Sequence, residues 1–240
     1  TRVYKEKIGI SFSYKSLKSL GKLLSYTLVG RTMGVIANNI DLILVSRMLG
    51  PENVAILALT RRSCDISKEL INQPTVAFLP AVSHAKGSRD QKKLSKVLMR
   101  LTFILIWILF LVVGGLISLN ESFVNLWVGD QFFAGDTINL FICISLIFTM
   151  TYNSLSQLCF ALGDVKGTSL VGGLQFLLFI PIAIVGTKYF GLLGTVLASI
   201  LPVLIISMWY FPSRFVSLLS LKKQDIKNIF IEVVICLLAI

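Results

Sequence analysis

The feature that most constrains this chain is an alternation of long apolar runs with short polar connections. Most runs reach or exceed the roughly 20 residues that a helix needs to cross about 30 Å of hydrocarbon. With 55% hydrophobic residues and a mean hydropathy of +0.82, the composition lies outside the range of soluble globular domains. We therefore predict an all-α fold, a polytopic transmembrane helical bundle of about six or seven spans. The predicted spans are approximately 23–49, 54–82, 101–119, 138–162, 169–187, 192–211 and a last one that begins at 226.

Positive charge is concentrated on alternate connections between the apolar runs. Apart from Lys188, the intervening connections carry no Lys or Arg. This is the positive-inside bias, and it predicts that residue 1 lies on the cytoplasmic side and the acidic 120–137 connection outside. The net charge of +11 is thus a topology signal, and we expect no nucleic-acid partner. Seventeen of the 23 Lys and Arg residues lie in residues 1–22, 85–100, 163–168 and 212–228.

The pattern divides the chain into four parts. Residues 1–22 are predicted to be a cytoplasmic linker, either a basic amphipathic helix at the lipid surface or an ordinary solvated segment. Residues 23–211 form a six-helix transmembrane lobe, 212–225 a cytoplasmic loop, and 226–240 the start of a further, truncated span. We accordingly expect the chain to be a piece of a longer protein. Within the lobe, the polar and basic segment Ser83–Arg100 is predicted to be a loop.

Polar side chains recur along one face of each of the first two apolar segments. Both sets repeat at spacings of three and four residues, which place their members on one side of a helix. An ionisable group near the bilayer centre costs roughly 2.5–3.5 kcal/mol, so such groups normally face a bundle interior or water. We therefore predict a hydrated cavity beside these two helices. The stripes are Arg31, Gly34, Asn38 and Asp41 in the first segment and Arg61, Asp65, Lys68 and Asn72 in the second.

The charges near these stripes predict two kinds of binding residue. The planar fork of arginine matches phosphate oxygens in a low-dielectric site, which favours an anionic headgroup as ligand. Acidic groups at the same depth are candidates for binding a coupling proton or sodium ion. The headgroup candidates are Arg31, Arg61, Arg62, Lys68 and Asn38. The coupling-ion candidates are Asp41, Asp65 and Glu69.

The same charges allow a purely structural alternative. Asp65 can reach Arg61 at i−4 and Lys68 at i+3 on the same helix. Arg62 and Glu69 share a second face of that helix. In this interpretation the charges neutralise one another and bind nothing.

No pattern in the sequence indicates an enzyme. The four cysteines are far apart and have no metal-binding spacing, so we predict no metal site. The one histidine, His84, is expected to lie at a helix end, and no nucleotide-binding loop of the GxxxxGK[ST] type occurs. We therefore expect no catalytic residues and no cofactor.

Five short segments carry a family resemblance: Asp41–Glu52, Pro80–Ser83 with the basic segment after it, Leu126–Gly129, Ala161–Lys166 and Phe190–Ala198. Each segment alone is only weakly specific, but taken in order they resemble the Wzx-type O-antigen and repeat-unit flippases of the multidrug/oligosaccharidyl-lipid/polysaccharide exporter superfamily. The resemblance extends from residue 22 to about 212.

The resemblance implies a transporter of two pseudo-symmetric lobes around a central cavity, with this chain as the second lobe. Its implied activity is alternating-access flipping of an undecaprenyl-diphosphate-linked oligosaccharide across the bacterial cytoplasmic membrane, for O-antigen, lipopolysaccharide or another polysaccharide. The implied partners are that lipid, membrane lipids, a first lobe of the same polypeptide, and a polysaccharide polymerase and chain-length regulator. The alternatives are a cation or drug antiporter of the same superfamily and a membrane-embedded polysaccharide polymerase.

Overall fold

The computed structural model describes residues 40–87 and 91–219, with isolated helical positions at 21, 24, 25, 28, 32 and 36. In this part of the chain every regular element is helical and no strand occurs, which confirms the predicted all-α class. The elements are α1 (40–49), α2 (Pro51–Gly87), α3 (Gln91–Trp127), a 3₁₀ turn (Asp130–Phe132), α4 (Asp136–Ala161), α5 (Val165–Pro202), a π-helical turn (Val203–Ser207) and α6 (Met208–Leu219).

Three stretches of the described helices are long and apolar enough to cross a membrane. Large apolar side chains cover their outer surfaces: Leu111 is 78% exposed, and Leu177 and Ile205 are more than half exposed. Such surfaces favour lipid as the surrounding medium over water. The protein is therefore an all-α membrane protein. The three stretches are Arg100–Trp127, Asp136–Ala161 and Val165–Leu218.

The connection between α2 and α3 is shorter than the sequence suggested. The segment Ser83–Arg100 was expected to be a loop, but α2 continues to Gly87 and α3 begins at Gln91. Lysine and arginine are good helix formers, and a helix that leaves the hydrocarbon can continue into water. Leu94 and Leu98, at a spacing of one helical turn, are buried against the bundle and hold this extension in place.

The junction between α1 and α2 follows from two residues. Gly50 has a φ of +93°, a conformation that ends a helix with little strain only when the residue has no side chain. Pro51 opens α2, where its fixed φ suits the first helical position. The chain therefore passes from one helix to the next without a loop.

α5 reverses direction at Gly191, which has a φ of +60°. The hydroxyl oxygens of Thr187 and Thr195 are 2.8 Å apart, although eight residues of a straight helix would separate them by about 12 Å along its axis. The backbones of Gly186 and Gly194 also touch, so closely that a Cβ at Gly194 would lie 1.9 Å from the Gly186 carbonyl oxygen. α5 therefore consists of two limbs packed as a tight hairpin.

α4 is the central element of the bundle and packs against α2, α3, α5 and α6. At one end, α4 contributes Leu158, Cys159 and Leu162 to a core that also contains Phe211. At the other end, α4 contributes Ile142, Cys143, Leu146 and Met150 to a second core with α1, α2 and α3. The two cores fix α4 against its neighbours along its length.

A buried polar cluster ties the 128–135 loop to the bundle. The side-chain amide nitrogen of Asn120 donates to the Thr60 carbonyl and, over 2.7 Å, to the Asn139 side chain. Ser63 donates to the Asn120 side-chain oxygen. The Thr60 hydroxyl donates to the Phe132 carbonyl and accepts from the backbone N–H of Ala134. This cluster joins α2, α3, α4 and the loop away from water.

Candidate functional site

A cavity of about 800 Å³ lies among α1, α2, α4 and the two limbs of α5. On α2 the lining extends from Leu57 to Asn72, which at 1.5 Å per residue is about 22 Å of helix. This length compares with the roughly 30 Å thickness of a hydrocarbon core. Trp127, the last residue of α3, also lines the cavity.

The α2 side of this cavity carries the polar stripe predicted from sequence. The lining includes the predicted binding residues Asp41, Arg61, Arg62, Asp65, Lys68 and Glu69, together with Asn72. The predicted residues Arg31 and Asn38 lie outside the described residues. Whether any of these side chains binds a headgroup or a coupling ion stays a prediction.

Four of the charged side chains form a continuous ion network. Arg61 contacts Asp41 of α1 and, over 3.3 Å, Asp65 one turn further along α2. Asp65 also accepts a hydrogen bond of 2.7 Å from Lys68. Arg61 and Lys68 therefore both have a carboxylate partner. The two contacts of Asp65 are those that the structural alternative predicted. The contact between Arg61 and Asp41 was not foreseen, because it joins two helices.

Arg62 and Glu69 differ from this network. Both side chains are exposed and line the cavity, and neither forms a salt bridge within the described part of the chain. Three cations and three acids line the cavity, so the described lining carries no excess of either charge. Arg62 is the lining cation that is not neutralised by a contact with a described carboxylate.

A second polar stripe, on α4, also lines the cavity and was not predicted from the sequence. Ser145, Thr149, Asn153 and Gln157 of α4 recur every four residues and all line the cavity. None is charged, so none stands out among apolar neighbours as an arginine does. Their regular spacing is the signal that could have identified them.

The α4 stripe is bonded at its two ends and open in its middle. Gln157 donates a hydrogen bond of 2.7 Å to Asn72 of α2, and the hydroxyl oxygens of Ser145 and Ser199 are 2.9 Å apart. Thr149 and Asn153 are half-buried, and their side chains have no hydrogen-bond partner among the described residues. These two polar groups therefore face the cavity with unused hydrogen-bonding capacity.

A polar cluster joins the turn after α4 to α6, at the end of the bundle where α2 meets α3. Asp164 caps α5 by accepting from the Gly167 N–H, and it accepts hydrogen bonds from Tyr210 over 2.8 Å and from Arg214 over 2.9 Å. Burial alone would raise the pKa of Asp164. The hydrogen bonds from Arg214 and Tyr210, with the positive charge of Arg214, outweigh burial and hold its pKa below the usual range.

Comparison with known proteins identifies a family for the chain. No curated protein and no solved structure shows significant similarity to it. A family model described as "Polysaccharide biosynthesis protein" matches residues 1–134, more than half of the 240 residues. The matched part contains α1, α2 and the charged wall of the cavity. The chain therefore belongs to the polysaccharide biosynthesis protein family.

Proposed function

We propose that this protein acts in polysaccharide biosynthesis as a Wzx-type flippase and not as an enzyme. It would move an undecaprenyl-diphosphate-linked oligosaccharide, such as an O-antigen repeat unit, across the bacterial cytoplasmic membrane by alternating access. The observation that carries the proposal is a cavity of about 800 Å³ that brings charged and uncharged polar side chains together inside a membrane bundle. Membership of a polysaccharide biosynthesis family supports an oligosaccharide cargo.

The physical task of such a protein is to lower the cost of moving a polar headgroup through hydrocarbon. Polar groups that are transferred without hydrogen-bond partners cost several kcal/mol each, roughly 2–7 kcal/mol for an amide or hydroxyl. Polar side chains line the cavity from Arg61 to Asn72, about 16 Å of α2, and would replace much of the lost hydration. The apolar polyprenyl chain needs no such replacement and would remain in lipid.

Arg62 is the residue that we assign to the diphosphate. Arg61 and Lys68 already contact carboxylates, so an incoming phosphate would have to compete with Asp41 or Asp65. Arg62 lines the same cavity and has no carboxylate partner among the described residues. Its guanidinium could form paired hydrogen bonds to phosphate oxygens. Arg31, Asn38, Arg61 and Lys68 remain candidates for a secondary contribution.

A cation or drug antiporter is the second candidate, and the number of acids in the described lining supports it. Asp41, Asp65 and Glu69 equal the three lining cations in number, and Glu69 has no salt-bridge partner among the described residues. In that mechanism Glu69 would bind the transported cation or coupling ion. A membrane-embedded polysaccharide polymerase is a third and weaker candidate.

In this proposal the protein is a multi-pass protein of the inner membrane, with residue 1 on the cytoplasmic side. The partners would be the lipid-linked oligosaccharide, the surrounding lipids and, as the resemblance implies, a first lobe, a polysaccharide polymerase and a chain-length regulator.

Complementation in cells tests the proposal. The full-length protein would be expressed in a strain whose own repeat-unit flippase has been deleted and whose surface polysaccharide matches its substrate. We expect restored surface polysaccharide, and strong loss with Arg62→Gln at unchanged membrane abundance. Arg47→Gln is the matched control, because Arg47 is exposed and does not line the cavity. Restoration that is unaffected by Arg62→Gln would overturn the role of Arg62.

A parallel assay distinguishes the antiporter from the flippase. Efflux of a cationic dye from the same cells should not depend on the protein. Dye efflux that Glu69→Gln abolishes, together with no restoration of polysaccharide, would replace the flippase by the second candidate.

A further inference from the structure

We infer that the middle of the α4 stripe, Thr149 and Asn153, binds the saccharide part of the substrate and favours neutral sugars. This inference rests on the proposed function and divides its site into two walls. The charged wall on α2 would bind the diphosphate, and the uncharged wall on α4 would bind the sugars.

The first argument is the separation of chemistry between the two walls. All lining cations lie on α2, whereas the α4 and α5 contributions to the lining contain no charged side chain. A sugar rich in hydroxyl or acetamido groups needs donors and acceptors without net charge, which hydroxyl and amide side chains provide. An acidic sugar on this wall would have its carboxylate desolvated with no described cation on the same wall.

The second argument is the unused hydrogen-bonding capacity of the wall. Ser145 and Gln157, at its ends, are bonded to Ser199 and Asn72. Thr149 and Asn153, between them, have no hydrogen-bond partner among the described residues. The contrast with Thr151 is informative, because the Thr151 hydroxyl donates to the carbonyl of Ile147 on its own helix. Thr149 and Asn153 are therefore available to a ligand in a cavity where an unbonded polar group is costly.

An aromatic side chain also lines the cavity. Trp127 lines it, is 52% exposed, and packs its ring against Phe123 with the centroids 5.7 Å apart. An indole held by a second ring offers an apolar face to the C–H side of a sugar ring. Trp127 therefore adds an apolar aromatic surface to the hydroxyl and amide groups that α4 offers to a saccharide.

The experiment measures how much an attached sugar increases the affinity of the protein for a lipid diphosphate. The full-length protein in lipid nanodiscs would be titrated with farnesyl diphosphate and with farnesyl diphosphate linked to a disaccharide of N-acetylglucosamine. We expect the wild type to bind the sugar-linked probe more tightly. The double variant Thr149→Val with Asn153→Leu should reduce affinity for that probe about tenfold, since each lost hydrogen bond is worth a few-fold, and leave the bare diphosphate unchanged.

Two variants complete the design. Thr151→Val makes the same chemical change on α4 at a hydroxyl that is bonded to its own helix, and should change neither affinity. Arg62→Gln should weaken both probes by a similar factor. The unchanged affinity of the α4 double variant for farnesyl diphosphate also reports that it is folded.

Three results would overturn the inference. The double variant could leave the sugar-linked probe unaffected, or it could weaken both probes equally. The wild type could bind both probes with the same affinity, which would remove the saccharide site and leave the proposed flippase intact. A wild type that binds neither probe would contradict the proposed function itself.

Discussion

The guanidinium of Arg61 on α2 contacts the carboxylate of Asp41 on α1, so an ion pair joins two helices across 20 positions of sequence. Asp41 is 7% exposed, and Arg61 also contacts Asp65. A charge pair in such a place is better understood as a fixed element than as a free ligand. Removing Arg61 would leave the charge of Asp41 buried without a cationic partner among the described residues.

Arg61→Gln should therefore destabilise the protein. We expect a loss of about 1–3 kcal/mol, because Asp41 would lose its charged partner and Asp65 one of its two. Thermal unfolding in detergent measures the effect. Arg62→Gln serves as the control and should have little effect on unfolding, since Arg62 has no salt bridge within the described residues.

A double variant tests whether Asp41 and Arg61 interact in the folded protein. If the charges are coupled, Asp41→Asn combined with Arg61→Gln should cost less than the sum of the two single changes. Strict additivity would show that the two side chains do not interact in the folded protein.

The buried cluster around Asn120 should contribute to stability through its hydrogen bonds. Asn120→Ala removes bonds to Thr60, Ser63 and Asn139, and we expect a loss of about 1–3 kcal/mol, because the partners stay buried. Asn125→Ala, an exposed change in the same helix, is the control. Equal unfolding temperatures for the two variants would contradict the cluster as described.

The hairpin of α5 predicts a strong size limit at Gly194. A Cβ there would lie 1.9 Å from the carbonyl oxygen of Gly186, so Gly194→Ala should separate the two limbs and reduce the yield of folded protein. Gly172→Ala is the control, because a Cβ at Gly172 meets no atom within 4 Å. A Gly194→Ala protein with normal yield and normal unfolding temperature would show that the limbs are not packed this closely.

The lowered pKa of Asp164 predicts that the stability of the fold decreases at low pH. Its pKa is lower in the folded protein than in the unfolded chain, because the bonds from Arg214 and Tyr210 outweigh burial. A lowered pKa stabilises the fold above the unfolded value of about 4, and this contribution is lost as the pH falls through the folded value. The unfolding temperatures of wild type and Asp164→Asn should therefore differ at pH 7 and converge as the pH falls below about 4. A constant difference would mean that the charge of Asp164 is irrelevant.

Much of the fold follows from local features of the sequence. The length of the apolar runs predicts an all-α membrane protein, which the structure confirms. Gly50 followed by Pro51 indicates the junction of α1 and α2, and Gly191 lies at the reversal of α5. These features depend on hydrophobic length and on backbone conformation, both of which are properties of short segments.

What the sequence did not reveal depends on contacts between helices. The spacing of Arg61 and Asp65 shows that they share a face, but no local pattern pairs Arg61 with Asp41. Thr149 and Asn153 are uncharged and therefore inconspicuous until the bundle places them in the same cavity as the charged residues of α2. The helical extension past the hydrocarbon was missed because a run of lysines has the composition of a loop and the propensity of a helix.

The proposed function requires the protein to transfer a lipid-linked oligosaccharide between leaflets. The most direct test places the full-length protein in vesicles that carry an undecaprenyl-diphosphate-linked oligosaccharide and measures the fraction that an external sugar-modifying enzyme can reach. We predict that the wild type brings the inner-leaflet fraction to the outside, and that Arg62→Gln, equally inserted, does so much more slowly. The proposal would be contradicted if the external enzyme reached no more substrate in vesicles with correctly inserted wild-type protein than in vesicles without protein.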